Sequence, residues 1–502
     1  MNLRGRSLLA FGAGVLLSFA FPKFDLAFLA WVAVVPLLML LEERSRREGA
    51  LIGFTFGVGF FGALLIWISL VGWVAWALLV ILEGSFLGLF GALYAVTVGR
   101  SHVRSHLPSH VVARVLAAPV LWIAIEFLRA RVPLGGFTWG QLVQSQHNLT
   151  FMLKPAALGG GWLVTFLIVA ANALVTESFR DRKRGVVRSL IPAALAGGLL
   201  LLPFVVPANR SGERALEVAI VQGNVPLDFE GSLYEKELEI IRSHAELTAQ
   251  LEPGSVDLVV WPESSVGIDL SKDTTVEGLV TGAAKAVAAP MIVGANLDVD
   301  DDHYKVMALL ISAEGEIVDA YQKTHLVPFG EFLPARSALD WIPILDQIPR
   351  DAIPAAHPVI FDLEGSKIAT VISFEGDFGS LVRERIDLGG RLLVVATNTS
   401  TWGDTGASPQ HLAFSQIRAV ENGVWVAHGA ISGISGFIAP NGDVVERTAL
   451  RTADVITQQV FFADDITLYA RMGDWLPLLC LAGTALLLIL SALRIRADKV
   501  RS

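Results

Sequence analysis

The feature that most constrains this chain is a succession of long apolar runs. They extend from Leu8 to Phe21, Leu26 to Leu41, Ala50 to Val71, Val74 to Val98, Val111 to Leu128, Ala156 to Val175 and Leu190 to Val206, with a last one from Trp475 to Leu493. Several approach the ~20 residues that a bilayer crossing needs, so the sequence predicts a bundle of about eight transmembrane helices. A hydrophobic fraction of 53% with only 17% charged residues over 502 positions fits no ordinary soluble enzyme. The first run is short enough to suggest a signal peptide. No small-residue cleavage site follows it, and Phe21-Pro22-Lys23-Phe24-Asp25 leads straight into the next run, so it reads as a retained helix.

Basic residues in the connections orient these spans. Arg4 and Arg6 precede the first run; Arg44, Arg46 and Arg47 follow the second; Arg100 and Arg104 follow the fourth. Arg180, Arg182, Lys183, Arg184 and Arg188 follow the sixth, and Arg494, Arg496, Lys499 and Arg501 close the chain. Every second connection is thus rich in Lys and Arg, which predicts an even number of spans with both termini in the cytoplasm. Residues 212–472 are then expected on the outer face, between a membrane part at 1–211 and a last helix with its tail at 473–502. No basic stripe interleaved with aromatics appears outside the short connections, which argues against a nucleic-acid partner. The single cysteine, Cys480, lies in an apolar run and excludes an intramolecular disulfide framework.

The 212–472 segment reads differently. Short β-branched runs at Leu216–Val221, Asp257–Val260, Pro290–Val293, Ile368–Ile372 and Leu392–Ala396 have the pattern of strands buried on both faces. Amphipathic stretches at Tyr234–Leu251, Thr275–Ala288 and Gln410–Glu421 lie between them. Alternating strands and helices predict an α/β domain.

Three constellations in this segment carry chemistry. In Val260-Trp261-Pro262-Glu263-Ser264 the proline removes a backbone donor, so the strand is expected to stop there and present Glu263 at its C-terminal edge. The second is the charged stretch from Tyr321 to Phe332, which holds Lys323, His325, Phe329 and Glu331. The third is Ile372-Ser373-Phe374-Glu375, a polar tip on an apolar strand. Carboxylates, a lysine and a hydroxyl can supply nucleophile, base and oxyanion cation for acyl transfer. On spacing alone, a structural Glu–Lys bridge at a sheet rim is an equal reading.

The order Trp-Pro-Glu, then Lys-x-His-Leu-Val-Pro-Phe-Gly-Glu, then a strand ending in a nucleophile, an aromatic and Glu is similar to apolipoprotein N-acyltransferases of the nitrilase superfamily. Val221-Gln222-Gly223-Asn224, Gln410-His411-Leu412, Arg418-Ala419-Val420-Glu421-Asn422 and, in the membrane part, Glu126-Phe127-Leu128-Arg129 join the match. The resemblance covers nearly the whole chain. It implies an αββα nitrilase-like sandwich on a helical membrane base in a bacterial cytoplasmic (inner) membrane, with no cofactor and no metal. It also implies a phospholipid acyl donor and a diacylated apolipoprotein acceptor. Carried over position by position, Glu263 is the base, Lys323 steadies the oxyanion, and Glu331 and Glu375 are the supporting glutamates. Phe329, Phe374, Asn398 and Trp402 fall at substrate-binding positions.

The sequence departs from the pattern at the nucleophile, where Ser373 stands in place of cysteine. A hydroxyl is harder to ionise than a thiol and its ester is a poorer acyl donor to an amine. Three readings stay open: an impaired or trapped acyltransferase, a working serine variant, or a non-catalytic nitrilase-like membrane protein that binds lipid or lipoprotein. Phe374 stands where tyrosine is frequent, and Asn398-Thr399-Ser400-Thr401-Trp402 is more polar than the family's Asn-Asp-x-Trp-Phe.

Other features point elsewhere. Gly57-Val58-Gly59-Phe60-Phe61-Gly62 matches a dinucleotide fingerprint by letter, but it lies in an apolar run with no preceding strand and is expected to serve helix packing. Glu126 and Arg129 are spaced to pair along one helix. The loop from Pro133 to Trp139 is expected to be flexible and to line an entrance for acyl chains. His303, His325, His411 and His428 lack metal-ligand spacing and read as ordinary hydrogen-bonded histidines.

Overall fold

A computed structural model describes residues 2–98, 108–182, 186–226, 228–339 and 341–501. Of the connection cations counted above, Arg100, Arg104, Lys183 and Arg184 lie outside them. The chain divides into two compact units, residues 1–207 with 472–502, and residues 208–471.

The first unit is helical. Its principal helices are α1 (Leu3–Ser18), α2 (Val35–Leu40), α3 (Arg46–Leu64), α4 (Trp73–Thr97), α5 (Pro108–Arg129), α6 (Gly161–Arg182), α7 (Val186–Val205) and the C-terminal helix Trp475–Arg501. Among the described residues, five helices are long and apolar enough to cross a membrane: α4, α5, α6, α7 and the C-terminal helix. The expected count of eight is not reached on this criterion. The run from Leu26 to Leu41 is broken into a 3-10 turn at Ala27–Trp31 and the six-residue α2. Pro36, near the start of α2, lacks the N–H and the steric room that a continuous helix would require.

Within an apolar bundle, a break of this kind must have its backbone groups satisfied by protein. Asn172 of α6, fully buried, does so. Its Oδ1 accepts from the N–H groups of Val34 and Val35 at 3.1 Å each, and its Nδ2 donates to Ala30 O at 2.9 Å. The irregular segment after α5 follows the same rule. Gln144 accepts from Gly140 N–H and donates to Thr138 O. Thr165 accepts from Val143 N–H, and Gln146 donates to Ala27 O.

The glycine-rich run of α3 is a packing surface. A Cβ on Gly53 would fall 2.1 Å from Leu87 O of α4, and one on Gly59 2.2 Å from Phe11 O of α1. Arg129 does not pair as helical spacing suggested. Its guanidinium reaches across to Glu83 of α4 at 2.8 Å and to the carbonyls of Phe137 and Trp139, while Oε2 of Glu126 is buried with no hydrogen-bond partner among the described residues. Those contacts hold the C-terminal half of the Pro133–Trp139 loop in the interior, where Thr138 and Trp139 are buried; only residues 132–135 are exposed. Arg180, counted as a connection cation, lies inside α6 and pairs with Glu42 at 2.6 Å and with Glu177, which also takes Arg114 at 2.8 Å.

The second unit contains β1 (Ala215–Gln222), α8 (Leu233–Thr248), β2 (Leu258–Val266), α9 (Thr274–Val287), β3 (Met291–Asp298), β4 (His303–Ile311), β5 (Ile317–Gln322), β6 (Asp351–Ala352), β7 (Ile360–Leu363), β8 (Ser366–Ile372), α10 (Gly379–Asp387), β9 (Leu392–Thr397), α11 (Ala407–Asn422), β10 (Trp425–Ala430), β11 (Gly436–Ile438), β12 (Val444–Arg447) and β13 (Asp454–Phe461). These strands form a seven-stranded sheet in the order β13-β1-β2-β3-β4-β5, with β6 beside β4, and a six-stranded sheet in the order β12-β11-β10-β9-β8-β7. One apolar cluster joins the inner faces of both sheets through Ile220, Val260, Ile372, Val394 and Ala427. A second packs α8 and α9 on the first sheet, and a third packs α10 and α11 on the other. The result is a helix–sheet–sheet–helix sandwich, whose near-continuous apolar strands follow from coverage on both faces.

One expectation about β2 is corrected. The strand does not end at Pro262 but runs on to Val266, and its pairing with β3 slips between Trp261 and Val266. The missing proline donor is absorbed by a bulge, in which Ser264 takes φ +58° and the Ser265 hydroxyl donates to Pro262 O at 2.6 Å. The bulge, not a strand end, aims Glu263.

Asn172→Leu keeps the side-chain size but takes the Asn172 partner from the Val34 N–H and the Ala30 carbonyl, at ~1–3 kcal/mol each, while Val35 N–H keeps its bond to Val32 O. The purified protein in detergent should unfold at a clearly lower temperature than the parent. An unchanged midpoint would show that something other than Asn172 satisfies the break.

Candidate active site

Four chain segments meet in the second unit, two from each sheet. The β2 bulge supplies Glu263 and the residue after β5 is Lys323. The turn after β8 carries Ser373 and Glu375, and β9 ends in Thr397, with Asn398 next. The backbone of Lys323 is fixed on both sides, its N–H donating to Val306 O and its carbonyl accepting from Ala355 N–H, each at 2.9 Å. Its side chain is fully buried and donates to Glu263 Oε1 at 3.0 Å and Glu331 Oε1 at 2.5 Å.

Each carboxylate is held from behind as well. Glu263 Oε2 accepts from the Asn398 N–H at 2.9 Å, and Glu331 Oε2 accepts from the Val327 N–H at 2.7 Å across a tight turn. Burial pushes the Glu263 carboxyl above its ordinary range. The Lys323 charge pulls it back, Glu331 pushes it up again, and hydrogen bonds from Lys323 and Ser373 lower it. Burial would strip the proton from Lys323, but the two carboxylates more than offset this and hold it firmly as an ammonium ion.

Ser373 opens a 3-10 turn, Ser373–Asp377, directly after β8 and takes φ +49°. This left-handed conformation is costly for a residue with a Cβ and presents the side chain on a sharp strand-to-turn corner, as nucleophile elbows do. The Ser373 hydroxyl accepts from Thr397 Oγ1 at 3.2 Å. Glu375, two residues on, is fully buried and does not reach Lys323 directly. It accepts from Tyr321 Oη at 2.6 and 2.7 Å, from Thr324 N–H at 2.8 Å, from His325 N–H at 3.1 Å and from Ile372 N–H at 2.8 Å, and it pairs with Arg385 at 3.2 Å. Burial raises its pKa, but Arg385 and the donors around it prevail and hold it below the carboxylate range. Glu375 therefore orients the chain on either side of the lysine rather than its amine.

The four positions expected to bind substrate lie differently from one another. Phe329 is about half exposed, at φ +59° in the turn leading to Glu331. Phe374 is buried, stacked on His325 and edge-on to Phe378. Asn398 gives the site its backbone N–H, while its side chain accepts from Ser400. Trp402 is partly buried in the 3-10 turn Ser400–Trp402. Several site residues escaped the sequence reading: Tyr321 and Arg385 as partners of Glu375, Thr397 beside the nucleophile, and the buried Asp377 behind the turn, 3.6 Å from His411 of the Gln410-His411-Leu412 motif. Only Tyr321, two residues before Lys323, carried any signal.

A base, a hydroxyl and a fixed cation so placed can deprotonate a nucleophile, add it to a carbonyl and steady the oxyanion. The profile for the apolipoprotein N-acyltransferase N-terminal domain matches residues 13–174, and that for carbon–nitrogen hydrolases matches residues 217–464. The apolipoprotein N-acyltransferase of Geobacter metallireducens is 28% identical over 98% of this chain and 96% of its own length. That of Gloeobacter violaceus is 27% identical over 93% of this chain and 90% of its own length. Among solved structures, an amidase from Nesterenkonia sp. is similar to 53% of this chain with 95% of its own covered, at 17% identity and a TM-score of 0.39.

Two outcomes follow from the buried charges. Arg385→Met strands the Glu375 carboxylate in the interior and should cost ~3–5 kcal/mol in denaturant unfolding; a loss under ~1 kcal/mol would mean that the hydrogen-bond donors alone satisfy it. His411 is pushed down to about 4, by burial first and the Lys323 charge second, from an ordinary 6.5. It folds neutral, so its stabilising contribution is complete above pH 6.5 and is lost progressively as pH falls toward 4. His411→Gln should flatten the fall in unfolding midpoint across that window; an unaltered slope would assign the acid sensitivity to other groups.

Proposed function

Because the chain belongs to the apolipoprotein N-acyltransferase family, we propose that it moves a fatty acyl chain from a membrane phospholipid to the α-amine of a diacylglyceryl-cysteine lipoprotein. The intermediate is an ester on Ser373, which stands where the family's pattern carries cysteine. The observation that carries this reading is the contact of one buried ammonium, Lys323, with two carboxylates, one of which is also held by the N–H of Asn398, next to the Thr397 that hydrogen-bonds Ser373.

In the first half-reaction, Glu263 takes the proton of the Ser373 hydroxyl as Oγ adds to the ester carbonyl of the donor. The Lys323 ammonium faces the negative charge that develops on the carbonyl oxygen. The tetrahedral intermediate collapses with cleavage of the bond to the glycerol oxygen, which leaves with the proton held by Glu263. In the second, the acceptor amine attacks the acyl carbon and gives its proton to Glu263. Ser373 Oγ then departs and recovers a proton, leaving an amide on the acceptor. A carboxylate raised by burial is a stronger base than one in water, which suits a hydroxyl nucleophile.

Both substrates are membrane-bound on this reading. Each buried CH₂ is worth ~0.8 kcal/mol, so extracting a whole acyl chain into water would be prohibitive. We place the chain as a multi-pass protein of the bacterial cytoplasmic membrane, with residues 208–471 on the outer face and both termini inside. The alternation of Lys/Arg along the connections supports this orientation.

The purified protein incubated with phospholipid should carry an adduct of fatty-acid mass on Ser373, and Ser373→Cys should raise the yield of triacylated lipopeptide many-fold. Absence of an adduct with either nucleophile would leave a non-catalytic lipid or lipoprotein binder as the reading.

A further inference from the structure

Serine brings two chemical difficulties to an acyl-transfer site. Its hydroxyl must lose a proton in the act of attack, and its alkoxide is a poor leaving group when the acyl chain moves on. A group that stabilises negative charge on Oγ relieves both. Lys323 is spoken for by Glu263 and Glu331, and its developing partner in the reaction is the carbonyl oxygen of the substrate rather than Oγ. Thr397 is different. It is the last residue of β9 and fully buried. β9 runs parallel to β8 with Ile372 opposite Ala396, which brings residues 373 and 397 side by side at the two strand ends. Its hydroxyl donates to Ser373 Oγ at 3.2 Å.

That direction matters. With one lone pair of Oγ occupied by the Thr397 donor, the Ser373 proton stays free to pass to Glu263, the group that must remove it. The adjacent backbone reinforces the alignment, because the N–H of Asn398, next in sequence, holds the other oxygen of Glu263. One strand end thus fixes both the acceptor and the donor of the transferred proton. We propose that Thr397 is a positioning residue specific to an oxygen nucleophile, orienting the Ser373 hydroxyl toward Glu263 and donating to Oγ as it gains charge and again as it leaves. Sulfur accepts hydrogen bonds weakly, so the same contact has little to offer a thiol. This inference rests on the acyl-transfer reading above and explains how that reading is compatible with serine.

The test uses the full-length protein in vesicles of phosphatidylethanolamine, with a synthetic diacylated lipopeptide as acceptor. The rate of acyl-adduct formation is followed by intact mass. Thr397→Val preserves shape and suits a strand while removing the hydroxyl; Thr397→Ser keeps the hydroxyl. Each is made with Ser373 and with Ser373→Cys. In the serine protein, Thr397→Val should slow acylation about tenfold and Thr397→Ser should restore most of the rate, with donor concentration at half-saturation unmoved, as for one charge-assisted hydrogen bond in a transition state. In the Ser373→Cys protein the loss on Thr397→Val should be several-fold smaller. An equal loss with both nucleophiles, no loss with serine, or failure of Thr397→Ser to recover the rate would overturn the inference alone. Acylation of the Ser373→Cys proteins with none in any serine protein would overturn it together with the Ser373 ester, leaving a site competent only with a thiol. No acylation in any variant would overturn both.

Discussion

A lysine ammonium with no access to water is the constraint around which the second unit is arranged. Transferring such an ion to the interior costs several kcal/mol unless counter-charges meet it with good geometry. Lys323 is met twice, by Glu263 at 3.0 Å and by Glu331 at 2.5 Å. Those two contacts dictate much else. Glu263 must leave the regular pleat of β2 to reach the lysine, which the bulge after Pro262 permits. Glu331 must fold back across a turn, which its bond to the Val327 N–H closes. The lysine's own neighbours, Thr324 and His325, give their N–H groups to Glu375, and Glu375 in turn is anchored by Arg385. Among the described residues, two carboxylates share this one ammonium, so acceptors outnumber the cation. That surplus is what makes one of the glutamates available as a base.

The helical unit solves the same problem with different groups. Backbone groups that leave the helix inside an apolar bundle need partners within the protein, from backbone or side chains. Asn172, Gln144, Gln146 and Thr165 are polar residues in an apolar setting because each closes the backbone of a broken or irregular segment. Arg129 does so with charge, satisfying Glu83 and two carbonyls of the loop that follows its own helix. Glycines at the crossings of α3 with α1 and α4 then let the helices approach until backbone touches backbone.

How far the sequence could be read follows from which forces are local. The buried strands of the sandwich were legible because a strand covered on both faces must be apolar throughout, and Glu263 and Ser373 stood out as polar tips on such stems. That they meet Lys323 across many tens of residues is a property of topology, accessible only through the family's motif order. Of the partners of Glu375, Tyr321 stood only beside a motif and Arg385 was not legible at all. Arg385 sits in α10 among Arg383, Glu384 and Asp387, and no periodicity says which of these charges turns inward. Arg129 misled for a related reason: spacing along α5 favours Glu126, but a long guanidinium reaches another helix as readily as its own. Hydropathy likewise missed the break in the second run, because it scores the apolar character of Leu26–Leu41 and is blind to the backbone consequence of Pro36. Thr397 was hidden by being an ordinary strand residue until its neighbour strand is known.

The intact charge pattern bears on what serine does at this site. A binding pocket for acyl chains needs apolar walls, and nothing in that task maintains a buried ammonium between two carboxylates, a fully buried Glu–Arg pair behind it, and a serine held at φ +49° on a sharp corner. Each is costly to keep, and the costs fall in one place. Replacing the pattern by packed apolar residues would be neutral or stabilising for a mere scaffold. Their joint presence, with the Glu263 carboxylate pushed toward basicity by the very burial that makes it expensive, suits the activation of a nucleophile and goes beyond what a lipid-binding surface needs. On the proposed reading, the weaker acidity of serine is met by a stronger base and by a hydrogen-bond donor on Oγ, so that the loss of the thiol changes which neighbours matter without changing the order of the chemical steps.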